Sequence, residues 1–170
     1  GLAEGTPVAV GHFDAHAAGV AAGARPGTFV KVMGTSTCDV TVVEPEGDSL
    51  PEIPGMCGVV RDALIPGLIS VEAGQSAVGD IFNWLTEHFL AGAGATISVD
   101  ELGRQASLLG PGSHGLLALD WFNGNRSVLV DQRLTGLILG LTLHTDPSQV
   151  LRALVEATAF GTRRILETVE

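Results

Sequence analysis

The chain has 170 residues, the size of one domain, and its 9 lysines and arginines against 19 aspartates and glutamates give a formal charge of −10. This acidic balance, with Lys31 as the single lysine, argues against a surface for nucleic acid or for anionic membranes. Hydrophobic residues make up 45% of the chain and charged residues 16%, which excludes an intrinsically disordered protein.

The sequence predicts neither a secretory leader nor a membrane span. No signal peptide opens the chain, and no uncharged apolar run reaches the ~18 residues that a span requires. The spacing of Cys38 and Cys57 is typical neither of a disulfide framework nor of a zinc pair. We therefore expect a soluble, cytoplasmic protein with two reduced, half-buried thiols. Because the chain starts at Gly1 and ends within a predicted helix, we expect a fragment of a longer polypeptide.

The first part of the chain predicts short strands separated by glycine-rich turns. In order, the patterns predict strands over 5–10, 28–32, 39–43, 59–60 and 68–71, and a surface loop over 44–54. Between the first two strands, the alanine and glycine residues over 17–24 should let a helix approach a sheet closely. The two strands that flank residues 34–37 form a predicted hairpin with a polar turn.

The rest of the chain alternates helices and strands. The patterns predict a helix over 75–90, a flexible joint over 91–95, a helix capped by Ser98, strands over 116–119 and 137–141, and a last helix capped by Asp146. The buried face of the first of these helices is predicted to carry Val78, Ile81, Phe82, Leu85 and Phe89. The buried face of the last helix is predicted to carry Leu151, Leu154, Val155, Thr158 and Ile165. The mixture predicts an α/β fold.

Asp14 is the first candidate for chemistry, because it follows a predicted strand at the position where α/β folds place active sites. An aspartate there is also a common helix cap. The alternation of His12, Asp14 and His16 allows a second interpretation, since in a strand all three would face one metal ion. That face is lost if Asp14 begins a helix.

Three further segments combine polar groups with glycine. The turn 34–37 offers amides and hydroxyls to phosphate oxygens, although an ordinary hairpin turn has the same composition. Glu72 lies at a strand-to-helix junction that suits a hydroxyl-rich ligand, or it stabilises a helix N-terminus. The loop 120–126 carries Trp121, which either stacks on a sugar or nucleotide or anchors the loop in the core.

Taken together and in order, these segments resemble the FGGY family of carbohydrate kinases over essentially the whole chain. The matching segments are Phe13-Asp14-Ala15-His16, Gly34-Thr35-Ser36-Thr37-Cys38, Glu72-Ala73-Gly74-Gln75-Ser76 and Asp120-Trp121-Phe122-Asn123-Gly124. Residues similar to the family's C-terminal signature are Gly136, Gly140, Gln149, Ala153 and Glu156, with Leu154 larger than expected at its position. The resemblance implies the two-domain actin/hexokinase-like (ribonuclease H-like) ATPase fold, with residues 1–24 ending the N-terminal domain and residues 25–170 forming a truncated C-terminal domain.

The resemblance also implies an activity: ATP- and Mg²⁺-dependent phosphorylation of the terminal hydroxyl of a ketopentose, L-ribulose, in a cleft between the domains. It implies that Asp14 is the catalytic base and contacts the substrate, that Gly34, Thr35 and Ser36 hold ATP phosphates, that Glu72 binds a sugar hydroxyl, and that no residue of this chain ligates a metal. Xylulose or glycerol as substrate, or a non-catalytic metal-binding or ligand-binding module using His12, Asp14 and His16, are the alternatives.

Two expectations concern the 170 residues alone. Because the resemblance places the Mg²⁺-bearing loop and the adenosine wall in segments outside this chain, we expect no kinase activity from it and no better than about millimolar affinity for ATP. Apolar surface exposed at the ends of the chain also favours self-association into a homo-oligomer.

Overall fold

A four-stranded antiparallel sheet organises the first half of the chain in the computed structural model, which describes residues 1–9, 11–91 and 97–170. Its strands are β1 (Phe29–Met33), β2 (Thr37–Val43), β3 (Gly58–Arg61) and β4 (Ile69–Ala73), and they lie in the order β1-β2-β4-β3. The predicted hairpin and both later strands are confirmed. In the register, Lys31 lies opposite Asp39 and Val40 lies opposite Glu72.

Helix α1 (Asp14–Ala21) packs on this sheet through a glycine. Gly19 is buried, and a Cβ atom there would lie 3.1 Å from side-chain carbons of both Val40 and Leu64. The small residues therefore allow the close approach that the sequence predicts. The strand predicted before this helix is wrong, because Gly5 belongs to a turn and residues 6–9 form irregular chain; Val10 lies outside the described residues.

The second half contributes helices and a small hairpin. Helix α2 (Gly79–Asn83) continues as a π-helical segment over Trp84–Leu90, and α3 (Val99–Ser107), β5 (Leu117–Leu119), β6 (Leu137–Leu139) and α4 (Pro147–Val169) follow. These elements enclose an apolar core made of Ala77, Ile81, Leu85, Leu90, Leu102, Ala106, Leu116, Val150, Leu151, Ala153 and Leu154. A smaller core of Ala24, Val40, Val42 and Leu64 lies at the sheet.

The predicted helix caps are confirmed. Asp146 accepts hydrogen bonds from the backbone amides of Ser148 (2.9 Å) and Gln149 (3.0 Å), and the Gln149 side chain accepts one from the Asp146 amide (3.1 Å). Ser98 Oγ accepts from the Glu101 amide at 3.2 Å. Each cap satisfies amides that the first helical turn leaves without a partner, so these short sequence signals define where α4 and α3 begin.

Two predicted buried positions are exposed instead. Phe89 is 60% exposed, whereas Leu90, five residues after the buried Leu85, is 8% exposed. The π-helical segment causes this change, because i→i+5 hydrogen bonding shifts which residue returns to the buried face. The helix also starts at Gly79 rather than at residue 75. Val155 is 39% exposed at the edge of the buried face of α4.

The surface loop, the joint after the π-helical segment and the two cysteines were also predicted from the sequence. The loop over 44–54 is largely exposed, as predicted, while most of the joint predicted over 91–95 lies outside the described residues. Both thiols are free, but only Cys38 is half-buried; Cys57 is exposed, contrary to the prediction. Among the described helices, none has the length and hydropathy to cross a membrane.

Candidate functional site

Glu72 lies at the centre of a group of three potential ligands. Its Oε2 atom is 3.0 Å from Nε2 of His16. Together with Cys38, these residues place one donor atom each within 4.8 Å of one another, and all three side chains are half-buried. The structure thus assembles a histidine, a cysteine and a glutamate from three separate elements.

Strand register and helix docking explain why the three residues meet. Glu72 on β4 is directly opposite Val40 on β2, so the two side chains leave the same face of the sheet. Cys38 precedes Val40 by two residues and shares that face. Helix α1 crosses the face with Gly19 against Val40, and His16 lies one turn earlier on the same side of the helix.

The local electrostatics keep the Cys38 thiol protonated. Burial and then the nearby negative charge of Glu72 raise the pKa of Cys38 to about 12, against a smaller opposing effect of Arg126. A thiol with this pKa is not a nucleophile near neutral pH, because the thiolate is the reactive form.

Asp14 is the first residue of α1, and its carboxylate is exposed. Its Oδ1 atom accepts a hydrogen bond from the Ala15 amide at 2.8 Å. Because Asp14 begins a helix, the strand-based metal site of His12, Asp14 and His16 is wrong: His16 contacts Glu72, whereas His12 and Asp14 are exposed. The structure places Asp14 at the N-terminal end of α1, the helix that carries His16.

The hairpin turn at residues 34–36 is held by the start of α2. The Thr35 carbonyl accepts from the amides of Val78 (2.8 Å) and Asp80 (3.2 Å), and the Gly34 carbonyl accepts from Gly79 (3.1 Å). A Cβ atom on Gly79 would lie 2.6 Å from the Gly34 oxygen, so this close approach requires glycine. The carbonyls of the turn are therefore directed into the fold.

Two of the amides in the same turn are available to a ligand. The Gly34 amide donates to the Ser36 carbonyl at 2.9 Å, while the Thr35 and Ser36 amides have no acceptor among the described residues. Gly34 and Thr35 are exposed. Adjacent amides that have no protein acceptor among the described residues, beside hydroxyl groups, suit the oxygens of a phosphate.

Gln75 joins the turn to α4, a role that the sequence does not reveal. Its backbone exchanges hydrogen bonds with Thr37, through the Thr37 hydroxyl (2.9 Å) and the Thr37 amide (3.1 Å). Its side-chain amide donates to Asp120 (2.6 Å) and to the Thr158 carbonyl (2.8 Å), and its Oε1 accepts from Lys31 (2.7 Å). Gln75 is buried, so each of these bonds satisfies a group removed from water.

Two buried carboxyls belong to the same network. Lys31 Nζ lies 3.1 Å from Asp39 Oδ1 across the hairpin. Burial nevertheless raises the pKa of Asp39, and the pKa of Asp120 is raised for the same reason despite its bond from Gln75. The pairing of Lys31 with Asp39 follows from the hairpin register. That register was predictable from the sequence, because the two strands flank a short turn.

The two aromatic side chains of the loop over 120–126 lie in different environments. Trp121 lines a cavity of about 250 Å³ together with Phe160 and Arg164, whereas Phe122 packs against Trp84 with ring centroids 5.0 Å apart. Phe122 thus anchors the loop in the core. Stacking of a ligand on Trp121 remains a prediction.

The residues that resemble a C-terminal signature have structural contacts. A Cβ on Gly136 would collide with the ring of Phe122, and Gly140 adopts a φ of 94° with its Cβ position 2.7 Å from the Gly115 carbonyl. Glu156 accepts hydrogen bonds from Arg152 Nε at 2.7 Å and from the Gly112 amide at 3.2 Å. These residues hold the β5–β6 hairpin and α4 rather than line the turn or the Glu72 cluster.

Comparison with known sequences identifies close relatives. Residues 29–170 match the C-terminal domain of the FGGY family of carbohydrate kinases. The chain is 51% identical over 99% of its length to a ribulokinase of Bacillus licheniformis and 49% identical over 100% of its length to a ribulokinase of Mycolicibacterium smegmatis. It covers 31% of each of these proteins, so it spans about a third of the length of the curated relatives.

Solved structures give the same fold. A xylulose kinase of Rhodospirillum rubrum superposes with a TM-score of 0.73 and 27% identity, over 89% of this chain and 29% of that one. A xylulose kinase of Bifidobacterium adolescentis has a TM-score of 0.68 at 23% identity, over 91% of this chain and 28% of that one. The predicted α/β, actin/hexokinase-like fold class is thereby confirmed.

Proposed function

This chain belongs to the FGGY family of carbohydrate kinases, and we propose that the protein containing it is a ribulokinase, which transfers the γ-phosphoryl group of ATP to the terminal hydroxyl of L-ribulose. The observation that carries the proposal is the identity of about 50% to ribulokinases over nearly the whole chain. The likeness to a xylulose kinase is much lower, at 27% identity, so ribulose is favoured over xylulose.

We assign residues 1–24 to the end of the N-terminal domain and residues 25–170 to the C-terminal domain. The family match supports this boundary, because it begins at residue 29 and leaves α1 outside. Asp14 and the turn at 34–36 then belong to different domains, on the two sides of a cleft. Closing the cleft excludes water, which would otherwise compete with the sugar for the phosphoryl group. A cytoplasmic location and self-association remain predictions.

Asp14 acts as the general base in this proposal. Its exposed carboxylate at the start of α1 is able to accept the proton of the terminal sugar hydroxyl as that oxygen attacks phosphorus. General bases contribute on the order of 10²–10⁴-fold to rate. The bond from the Ala15 amide to Oδ1 fixes one oxygen and leaves the other for the substrate.

The turn at 34–36 holds the phosphates of ATP. The Thr35 and Ser36 amides, which have no acceptor among the described residues, donate to phosphate oxygens, and the absence of a side chain at Gly34 allows close approach. The chemistry of these donors fits the polyphosphate of ATP. Mg²⁺ bound with ATP supplies charge neutralisation, and no residue of this chain is assigned to it because amides and hydroxyls suit the phosphate rather than a resident metal.

Glu72 positions the sugar. Its carboxylate is half-buried, and the hydrogen bond to His16 fixes one oxygen while the other accepts from a sugar hydroxyl. A carboxylate accepts hydrogen bonds only, so it selects a ligand rich in donors.

A substrate panel with the full-length protein tests the proposal. We expect ATP-dependent phosphorylation of L-ribulose with a higher kcat/KM than xylulose or glycerol, and a loss of about 10²–10⁴-fold in kcat for Asp14→Asn with little change in the KM for ATP. Preference for xylulose or glycerol would overturn the substrate assignment, and wild-type turnover in Asp14→Asn would remove Asp14 from the mechanism.

A further inference from the structure

We propose that His16, Cys38 and Glu72 form a binding site for one thiophilic divalent cation, such as Zn²⁺, that is separate from the Mg²⁺ bound with ATP. The three donor atoms lie within 4.8 Å of one another. Within the described part of the chain, these are the residues whose side chains come together as a possible set of metal ligands. The effect on the sugar that we derive below rests on the proposed role of Glu72; the binding itself does not.

The donor set selects the class of metal. An imidazole nitrogen, a thiolate sulfur and a carboxylate oxygen are the ligands that Zn²⁺ takes in proteins, and three protein ligands leave a fourth position open. Mg²⁺ prefers oxygen ligands and keeps its waters, so a site with a cysteine discriminates against it. On binding, Cys38 coordinates as the thiolate and its proton passes to solvent.

The geometry is close to that of a formed site. Tetrahedral Zn²⁺, with bonds of about 2.0–2.1 Å to nitrogen or oxygen and about 2.3 Å to sulfur, separates its donors by about 3.3–3.6 Å. His16 Nε2 and Glu72 Oε2 are already 3.0 Å apart. Small side-chain rotations are therefore sufficient. The ligands come from α1, β2 and β4, and α1 and β4 both contact β2 in this structure.

The site is reachable and has a consequence for the reaction. The side chains of His16 and Glu72 are 18% and 33% exposed, so a hydrated cation has access. A cation bound at Glu72 Oε2 withdraws charge from the carboxylate and lies next to the other oxygen, which the proposal assigns to a sugar hydroxyl, so it weakens that hydrogen bond. The cation should therefore compete with the sugar and not with ATP, whose proposed turn at 34–36 contains none of the three ligands.

The chain offers matched controls. Cys57 is the other free thiol; it is exposed, and its Sγ lies 3.1 Å from Ser127 Oγ rather than beside a histidine and a carboxylate. His12 is exposed and its ring stacks edge-on against that of His16 with centroids 5.6 Å apart, without entering the cluster. Cys57→Ser and His12→Ala thus remove the same functional groups from neighbouring positions.

Binding is measured first, on the full-length protein freed of metals with a chelator and titrated with Co²⁺ as a spectroscopic probe. We expect one equivalent to give a sulfur-to-cobalt charge-transfer band that Zn²⁺ displaces. Cys38→Ser should abolish the band, and His16→Ala should weaken binding by more than about tenfold, while Cys57→Ser and His12→Ala retain it. Circular dichroism confirms that each variant is folded, and because Cys38→Ser changes one atom, the fold should tolerate it.

Several outcomes overturn the proposal. They are no cobalt–sulfur band in the wild type, the same band in Cys38→Ser, or a loss in His12→Ala with retention in His16→Ala. Kinetics separates the proposal from the proposed function: Zn²⁺ competitive with sugar in the wild type and ineffective in Cys38→Ser supports both. A cation that binds through the three residues without raising the KM for sugar supports the site and overturns the assignment of Glu72 to the substrate.

Discussion

Replacing Gly161 with alanine should destabilise the protein, although the same change in a helix interior ordinarily stabilises it by about 1 kcal/mol. Gly161 lies in α4, and a Cβ atom there would be 2.6 Å from both Asp120 Oδ2 and Gln75 Nε2. These two atoms are hydrogen-bonded to each other at 2.6 Å, and both residues are buried. The methyl group therefore has to displace the bond that it meets.

The magnitude follows from what is displaced. A hydrogen bond to a charged group contributes about 1.5–3 kcal/mol, and forcing a methyl group into a packed site costs about 1–3 kcal/mol. Subtracting the gain of about 1 kcal/mol in helix propensity leaves a net loss of about 1.5–5 kcal/mol. The side chains cannot swing away freely, because Gln75 is also bonded to Lys31 and to the Thr158 carbonyl.

The assay is thermal unfolding of the full-length protein, with Gly103→Ala as the matched control. Gly103 lies in α3, and a Cβ atom there meets nothing within 4 Å, so this variant should gain about 1 kcal/mol. Each kcal/mol shifts the melting temperature by about 2–4 °C for a domain of 150–250 residues and by less for a longer cooperative unit. We expect Gly161→Ala to melt several degrees lower and Gly103→Ala slightly higher than the wild type. Equal shifts in both variants would refute the reasoning.

Three further results are expected. Glu72→Gln should raise the KM for the sugar about tenfold, the cost of one hydrogen bond to a charged group, and leave the KM for ATP unchanged; equal effects on both constants in steady-state kinetics would contradict the assignment. Gly34→Ala should fold normally, because its Cβ meets only the Ser36 carbonyl at 3.8 Å, yet raise the KM for ATP by blocking phosphate approach; an unchanged KM would place the phosphates elsewhere. Burial raises the pKa of Asp120 above its ordinary value, so the folded chain binds this proton more tightly than the unfolded chain and loses stability as the pH rises from the ordinary value through the raised one. Asp120→Asn should therefore gain stability relative to the wild type as the pH rises above about 4, and a constant difference between the urea midpoints of the two proteins would contradict this.

The parts of the fold that the sequence predicted are those encoded by neighbouring residues. Asp146, Pro147 and Gln149 carry the start of α4 within four positions, and the structure forms the cap with those side chains. The hairpin is equally local, since its strands flank its turn. Where local periodicity failed, the cause was also local: the π-helical segment moved Phe89 outward and Leu90 inward.

The contacts that define the candidate site are not local, and the sequence did not reveal them. His16 and Glu72 are 56 positions apart, and their approach depends on how α1 docks on the sheet. Gln75 and the Thr158 carbonyl are 83 positions apart, and the motif that contains Glu72 and Gln75 indicates groups able to bind a ligand without showing that the amide pairs with α4. Helical periodicity describes which face is buried, but it does not say which buried polar groups will pair.

The segment from Glu72 in β4 to Gln75 just after it serves both halves of the proposed reaction, because consecutive residues project to opposite sides. Glu72 leaves the sheet toward α1 and the proposed sugar position, while three residues later the side chain of Gln75 enters the interior and reaches α4. The backbone of Gln75 pairs with Thr37, which ends the proposed phosphate turn. The position of that turn therefore depends on a buried amide that α4 holds from behind. Gly161 is required where this contact is made, since a side chain there would separate Gln75 from Asp120. Helix α4 thus supports, through the side chain of Gln75, the backbone that carries the proposed phosphate turn.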